Sequence, residues 1–489
     1  MAGIGVRLNH FFQKRSITAS LAGVAYGSCL TVAPMVLVIG GLLLLEWILG
    51  FDTLDYYTRE LFSCTVLYIF IFSLLTASPF NSLLSKYMQD AIFEERYQDI
   101  LPCYYLGLLL NILLSCLLGI PFCLWEHFVG NVPVAYVFVS FCGYISLVLV
   151  FYSQLYLSIC KDYGRISLFF LTGLAVTFLL TLILRFWVRW EVTESMLMGF
   201  TVGFFLTAVL EYGSVRRYFV GNSNRFRPVF RYFWRYWHLV AINFCYTLGL
   251  YIHNFVFWTT DIRMVVVKSF VCAQPYDMAS CLAMFTNISA TVIFIARVEM
   301  FFHDRYKAYS EAVIGGRLSD IQTSKREMFR EIANQLMDLA RIQFIISVVV
   351  YLLFVVLLPR FGFAGLVMRI YPCLAAGYFI LFQMYAEILF LYYFRDMWGA
   401  VLTAAGFCLI TFLGSVVAAG LPDVWYGAGV VAGSFAGWTA GYFRLRWVER
   451  HMDVQTFCRG RLLERNGGKR PPDQVYSQSS GAELQPARK

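Results

Sequence analysis

The chain has 489 residues, of which 59% are hydrophobic and 14% charged, with a mean hydropathy of +0.65. A soluble domain averages roughly a quarter charged residues and its core stops growing at a few hundred residues, so this composition excludes a soluble globular protein. The net charge of +9 does not signal nucleic acid, because the positive residues sit mainly in loops between apolar blocks.

Those blocks have the length needed to cross ~30 Å of hydrocarbon at about 1.5 Å per residue. In chain order, spans are expected at 20–49, 60–86, 103–125, 132–159, 166–188, 194–215, 239–259, 276–302, 340–358, 369–394, 397–420 and 424–446. The first block is too long for a signal-peptide core and reads as an uncleaved span, with Pro34 offering a bend. The 13 cysteines lie mostly inside apolar blocks, form no CxxC, and read as small packing residues. The six histidines are scattered, so neither a metal site nor a cofactor is expected.

Of 39 Lys and Arg residues, 30 fall in one set of alternate loops and at the termini, against 7 in the other set. By the positive-inside rule both termini and the basic loops face the cytoplasm. The expected fold is all-α and integral to the membrane, with about twelve spans in two pseudo-symmetric six-helix lobes. The boundaries are a cytoplasmic N-terminus (1–19), a first lobe (20–215), a basic linker (216–238), a second lobe (239–447) and a disordered cytoplasmic tail (448–489). The second lobe includes an amphipathic cytoplasmic segment, 303–338, suited to lying along the inner leaflet or docking a partner. A repeat supports the two lobes: Asp90–Ile100 and Glu311–Ile321, 221 residues apart, share Ala, Arg, Asp and Ile without gaps. A parallel duplication of this kind puts the substrate path between the halves.

Polar residues within the spans mark the candidate path. Ser20, Gly23, Gly27, Thr31, Pro34 and Gly41 share an arc of about 80° on the first span. The stripe fits close helix packing or a cavity-facing helix that bends in transport, with Gly27, Thr31 and Pro34 as hinge candidates. On the seventh span Asn243, Tyr246, Thr247, His253 and Asn254 occupy a face about 120° wide, suited to interhelical hydrogen bonds or to a wet path. Glu387 lies inside the tenth span with Gln383 one turn away and Arg395 eight residues on. Its charge requires a partner or water; Arg297, beside Glu299, is a candidate partner. Glu211 is expected to snorkel to the inner interface near Arg216 and Arg217, and Asp277 to cap a helix. The first span carries an acid only at Glu46, near its outer end. The chain has no GxxxxGK[ST] loop and no catalytic constellation, so no enzymatic activity is expected.

Several stretches resemble the membrane subunit of Pel exopolysaccharide export, the PelG family. They are Lys86-YMQDAIFEERYQDILP, Leu248-GLYIHNFVFW-Thr259, Gln274-PYDMASCLAMF and Arg297-VEMFFHDRYKAYSEAVIGG. That family sits in the superfamily of MATE antiporters, lipid-linked oligosaccharide flippases and polysaccharide exporters. The resemblance implies a twelve-helix, two-lobed transporter in a bacterial cytoplasmic membrane. It further implies export of a galactosamine-rich polysaccharide, with other Pel membrane subunits and a cytoplasmic glycosyltransferase as partners. Two positions depart from the family: His253-Asn254 stands where an Asp-Lys-like pair is common, and Ala33-Pro34-Met35 where Gly-Pro-Trp is usual. The same fold leaves room for a cation-coupled antiporter, a lipid-linked oligosaccharide flippase, or a scaffold docking a polysaccharide synthase.

Overall fold

The computed structural model describes residues 38, 40–160, 162–290, 294, 302–361 and 365–454. Met1–Leu445 form one compact unit and Arg446–Lys489 a second. The described part of the second is helical, with Arg446 paired to Glu449 at 2.8 Å.

The first unit is nearly all helix. After helical residues 40–48 come α1 (Tyr56–Phe93), α2 (Ile100–Phe128), α3 (Val134–Ile159), α4 (Tyr163–Ile183) and α5 (Val192–Tyr218). A short basic helix, α6 (Arg227–Arg235), leads into α7 (Trp237–Phe257). A hairpin follows, β1 (Met264–Val266) against β2 (Phe270–Cys272), antiparallel, with Met264 opposite Cys272. Then come α8 (Gln274–Asn287), α9 (His303–Gly315), α10 (Leu318–Leu357), α11 (Leu366–Tyr393), α12 (Met397–Ala418) and α13 (Ala428–Asp453).

Side chains just outside the apolar runs start several of these helices. Asp55 accepts from the Tyr57 N–H, Asp162 from that of Arg165, and Asp396 from that of Gly399, each satisfying a donor the first turn leaves open. Nine helices among the described residues are long and apolar enough to cross a membrane: 56–93, 97–128, 134–159, 164–188, 192–218, 237–257, 318–360, 366–393 and 397–418. The expected first and eighth spans extend beyond the described residues, and α13 occupies the expected twelfth.

The helices before α6 pack mainly on one another, as do those after it, and α1 lies against α7 across the divide. One packing device appears in both halves. In the first, a Cβ on Gly203 of α5 would stand 2.1 Å from the Thr177 hydroxyl oxygen and 2.5 Å from the Gly173 carbonyl of α4. In the second, a Cβ on Gly433 of α13 would meet Thr411 Oγ1 of α12 at 2.0 Å, and one on Gly429 would meet Ser415 Oγ at 2.2 Å. Small residues let the last two helices of each half approach backbone to backbone, where lipid supplies no hydrophobic drive. At the matched Arg and Asp positions the contacts differ in kind, a side-chain ion pair in one loop and a backbone donor in the other. Arg96 pairs with Asp99 at 3.0 Å before α2, and the Arg317 N–H donates to Asp320 at 3.0 Å at the start of α10.

The amphipathic segment packs part of its apolar stripe against the second half. It is two helices, α9 and the first half of α10, and α10 runs unbroken for 40 residues. Its apolar stripe packs inward: Met328, Ile332 and Leu339 are buried, Phe329 stacks on Phe394 at 5.2 Å, and Arg305 pairs with Glu327 at 2.6 Å.

Candidate functional site

The seam between the halves begins at a proline. Pro79 inside α1 has no N–H for the carbonyl of Leu75, and the Ser78 hydroxyl donates to that carbonyl at 3.2 Å instead. One turn of α1 is thereby presented to α7. Asn243 donates to the Ser78 carbonyl at 3.1 Å and to the Ser82 hydroxyl at 2.5 Å. This expected path residue thus bridges the halves. Thr247, one turn on, is partly exposed and makes no side-chain hydrogen bond among the described residues. Tyr246 stacks on Tyr385 of α11 at 4.7 Å.

At the end of the seam beyond Trp258 the hairpin of the second half clasps the first. The Tyr68 hydroxyl of α1 donates to the Val271 carbonyl at 2.6 Å and accepts the Val271 N–H at 3.1 Å. Its ring stacks on Trp258 at 4.9 Å and tilts against Phe270 at 5.2 Å. Ser269 donates to Glu126 of α2 at 2.5 Å. The hairpin tip holds Val267 and Lys268 at φ of 50° and 63°. That conformation is disfavoured for a β-branched residue and persists where surrounding contacts over-determine it.

His253 and Asn254 lie deeper in the second half, away from water. His253 is fully buried between the hydroxyls of Tyr276, 2.9 Å from Nδ1, and Tyr378, 3.4 Å from Nε2. Asn254 donates to Asp277 at 2.7 Å. Asp277 also accepts from the Trp258 indole at 3.0 Å and the Ala273 N–H at 3.0 Å. The carboxylate is not the expected N-cap of α8, a position held by Ala273: it sits in the first turn and ties α8 to α7 and the hairpin's exit. Sequence reasoning missed this role because Trp258 and Asn254 are distant in the chain.

Glu387 is 1% exposed on α11, and its Oε2 has no hydrogen-bond partner among the described residues. Gly441 of α13 faces it, where a Cβ would stand 2.3 Å from Oε2. The neighbouring Gln383 is buried with Nε2 likewise unpartnered. Arg297 and Glu299, and the hinge candidates Gly27, Thr31 and Pro34, lie outside the described residues.

Glu211 does not snorkel. It is fully buried on α5, with neither carboxyl oxygen hydrogen-bonded among the described residues. Arg216 and Arg217 follow about 140° and 240° round the helix and are exposed. Each half thus carries one buried acid without a described partner, where an ionised group would cost several kcal/mol, in order-of-magnitude terms. No cluster of three or more His, Cys, Asp or Glu able to hold a metal occurs among the described residues.

A comparison with curated proteins gives no match. Solved structures match over most of the chain. One is titled an outward-facing conformation of a multidrug resistance MATE family transporter of the MOP superfamily, with TM-score 0.53, 12% identity, and coverage of 86% of this chain and 95% of that one. Another is a MOP superfamily transporter from Pyrococcus furiosus with reverse polarity of its binding pocket, at TM-score 0.53 and 12% identity, with the same coverage. At this identity the likeness establishes the fold alone: a MATE-type bundle of membrane helices. The family model of PelG, described as "Putative exopolysaccharide Exporter (EPS-E)", matches residues 1–457, and the chain belongs to that exopolysaccharide exporter family.

Proposed function

We propose that this transporter exports a galactosamine-rich exopolysaccharide of the Pel type across a bacterial cytoplasmic membrane, along the seam between its halves. The observation that carries the reading is the seam itself. One helix from each half meets there, Asn243 holds one part of the contact and a hairpin clasps its end. In this reading residues 20–215 and 239–447 act as two lobes, and both termini are cytoplasmic. The basic linker supports that sidedness: Tyr232 donates to Asp90 at 2.5 Å and Ser223 to Asp99 at 2.6 Å. The two loops counted on the Lys- and Arg-rich side are thus joined. A cytoplasmic glycosyltransferase would feed the polymer from that side, with other Pel membrane subunits beside it.

Glu387, Gln383, Asn243 and Thr247 are the proposed path and coupling residues. An acid without a described partner can accept a proton, a cation or a substrate amine, and this favours one further reading, coupling of export to an ion gradient. The test is secreted polymer from cells carrying Glu387→Ala or Glu387→Gln, with membrane-inserted protein quantified in parallel. Secretion is expected to fall severalfold in both at unchanged protein level. Normal secretion by both variants removes Glu387 from the mechanism. Export insensitive to every seam substitution, but lost when α9 is deleted, would replace transport with scaffolding.

A further inference from the structure

The clasp contains a feature that the packing role expected for the cysteines does not cover. Cys64 of α1 and Cys272 of β2 are 208 residues apart in sequence, and their sulfurs stand 2.8 Å from each other. Two unbonded sulfurs do not rest so close, and a disulfide needs only a further approach to about 2.05 Å. Both side chains are buried, at 2% and 3% exposure. Contacts on both sides hold the pair in register: Tyr68, one turn from Cys64, is bonded twice to Val271, the neighbour of Cys272, and Tyr56 donates to Met264, opposite Cys272 on β1, at 2.7 Å. We propose that Cys64 and Cys272 form a disulfide tying α1 of the first half to the hairpin of the second.

The hairpin carries Arg263 and Lys268, which the charge count places in the sparse, non-cytoplasmic set of loops. The inference rests on that sidedness, because disulfides persist in oxidising compartments outside the cytoplasm. The oxidant is a disulfide-bearing oxidoreductase or small disulfide of that compartment. Before the clasp closes, the Cys272 thiolate attacks the oxidant's disulfide, giving a mixed disulfide and releasing one thiol. The Cys64 thiolate then attacks the Cys272 sulfur and releases the second thiol. Two protons leave the cysteines, and their two electrons reduce the oxidant's disulfide to a dithiol. Once the clasp has closed, burial shields the bond from reductants.

The test uses the full-length protein in membranes. Thiols are blocked with N-ethylmaleimide in denaturant at the moment of lysis, and non-reduced peptides are read by mass spectrometry. The expected result is a linked pair of peptides containing residues 64 and 272, absent from Cys64→Ser and Cys272→Ser and lost on reduction. Both thiols found alkylated in freshly blocked membranes overturns the inference, even where an added oxidant links them in a parallel unblocked sample. A second arm labels Lys268→Cys in intact cells with a membrane-impermeant maleimide. Labelling together with alkylated Cys64 and Cys272 defeats the disulfide alone; absence of labelling defeats the sidedness and the disulfide with it.

Discussion

Asp277 offers the sharpest test of how the second half is held together. Its carboxylate accepts from three groups, Asn254 Nδ2, Trp258 Nε1 and Ala273 N, all on buried residues. Asp277→Ala leaves those donors without acceptors, and each buried unsatisfied group costs about 1–3 kcal/mol. A total loss of about 3–5 kcal/mol is expected, at the upper end for single substitutions. Asp277→Asn should lose much less, about 1–2 kcal/mol. Asn254 Oδ1 is a buried acceptor with no described partner, and rotating the Asn254 side-chain amide would offer it to the donor that the new amide introduces. In an Asn254→Ala background the new amide can keep the two remaining bonds through an oxygen in the Oδ2 position, so Asp277→Asn should cost little there while Asp277→Ala still strands the Trp258 and Ala273 donors. The assay is reversible unfolding in a denaturing detergent titration, run as a double-mutant cycle. An Asp277→Ala protein within about 0.5 kcal/mol of wild type, the range of neutral surface changes, would refute the reasoning.

Two further substitutions address the seam and the buried acid. Asn243→Ala removes both bonds from α7 to the Pro79 turn of α1, worth about 1 kcal/mol each; cross-linking between cysteines placed on α1 and α7 near this turn should become slower, and an unchanged rate would show that Asn243 does not hold the contact. Gly441→Ala drives a methyl to within 2.3 Å of Glu387 Oε2, so the carboxyl must swing aside. Export should fall with Gly441→Ala and be restored in part by pairing it with Glu387→Asp, which is shorter but keeps the carboxyl, only if the loss is steric; secreted polymer from the double variant decides.

Much of this fold was legible in the chain, for reasons specific to lipid. A span must be long and apolar, so blocks such as 132–159 and 397–420 could be placed within a few residues of α3 and α12. Arg96 and Asp99, and Arg317 and Asp320, meet within their own loops, where sequence neighbours are spatial neighbours. The misreadings arose where that condition fails. Glu211 stood near two arginines in sequence, but the helical turn directs them to another face. The hairpin strands MVV and FVC are too short to show alternation, and the partners of the hairpin, Tyr68 at Val271 and Glu126 at the turn residue Ser269, come from other helices. The α9–α10 pair showed an apolar stripe correctly, yet nothing local says that Phe394 covers part of it.

The clasp also bears on how a polymer could pass. A permanently open channel needs no strained hairpin inserted between its halves, whereas here Val267 is held at positive φ and the tip is pinned from two helices. Parting the halves at this end breaks the two Tyr68–Val271 bonds and the Ser269–Glu126 bond, about 1 kcal/mol each and more for the carboxylate. It also separates the Tyr68–Trp258 stack, worth about 0.5–1.5 kcal/mol. The sum is several kcal/mol, the scale of the ~5.5 kcal/mol that takes a two-state equilibrium from 1:99 to 99:1. In the proposed export reading, a substrate that binds the parted halves better by this amount would open the closed seam, and passage would be gated. If Cys64 and Cys272 are joined, α1 and the hairpin cannot part at all, and opening must come from bending of the connections around 259–263 and 273. In that reading the gate would swing on those residues, and the disulfide would set how far it opens.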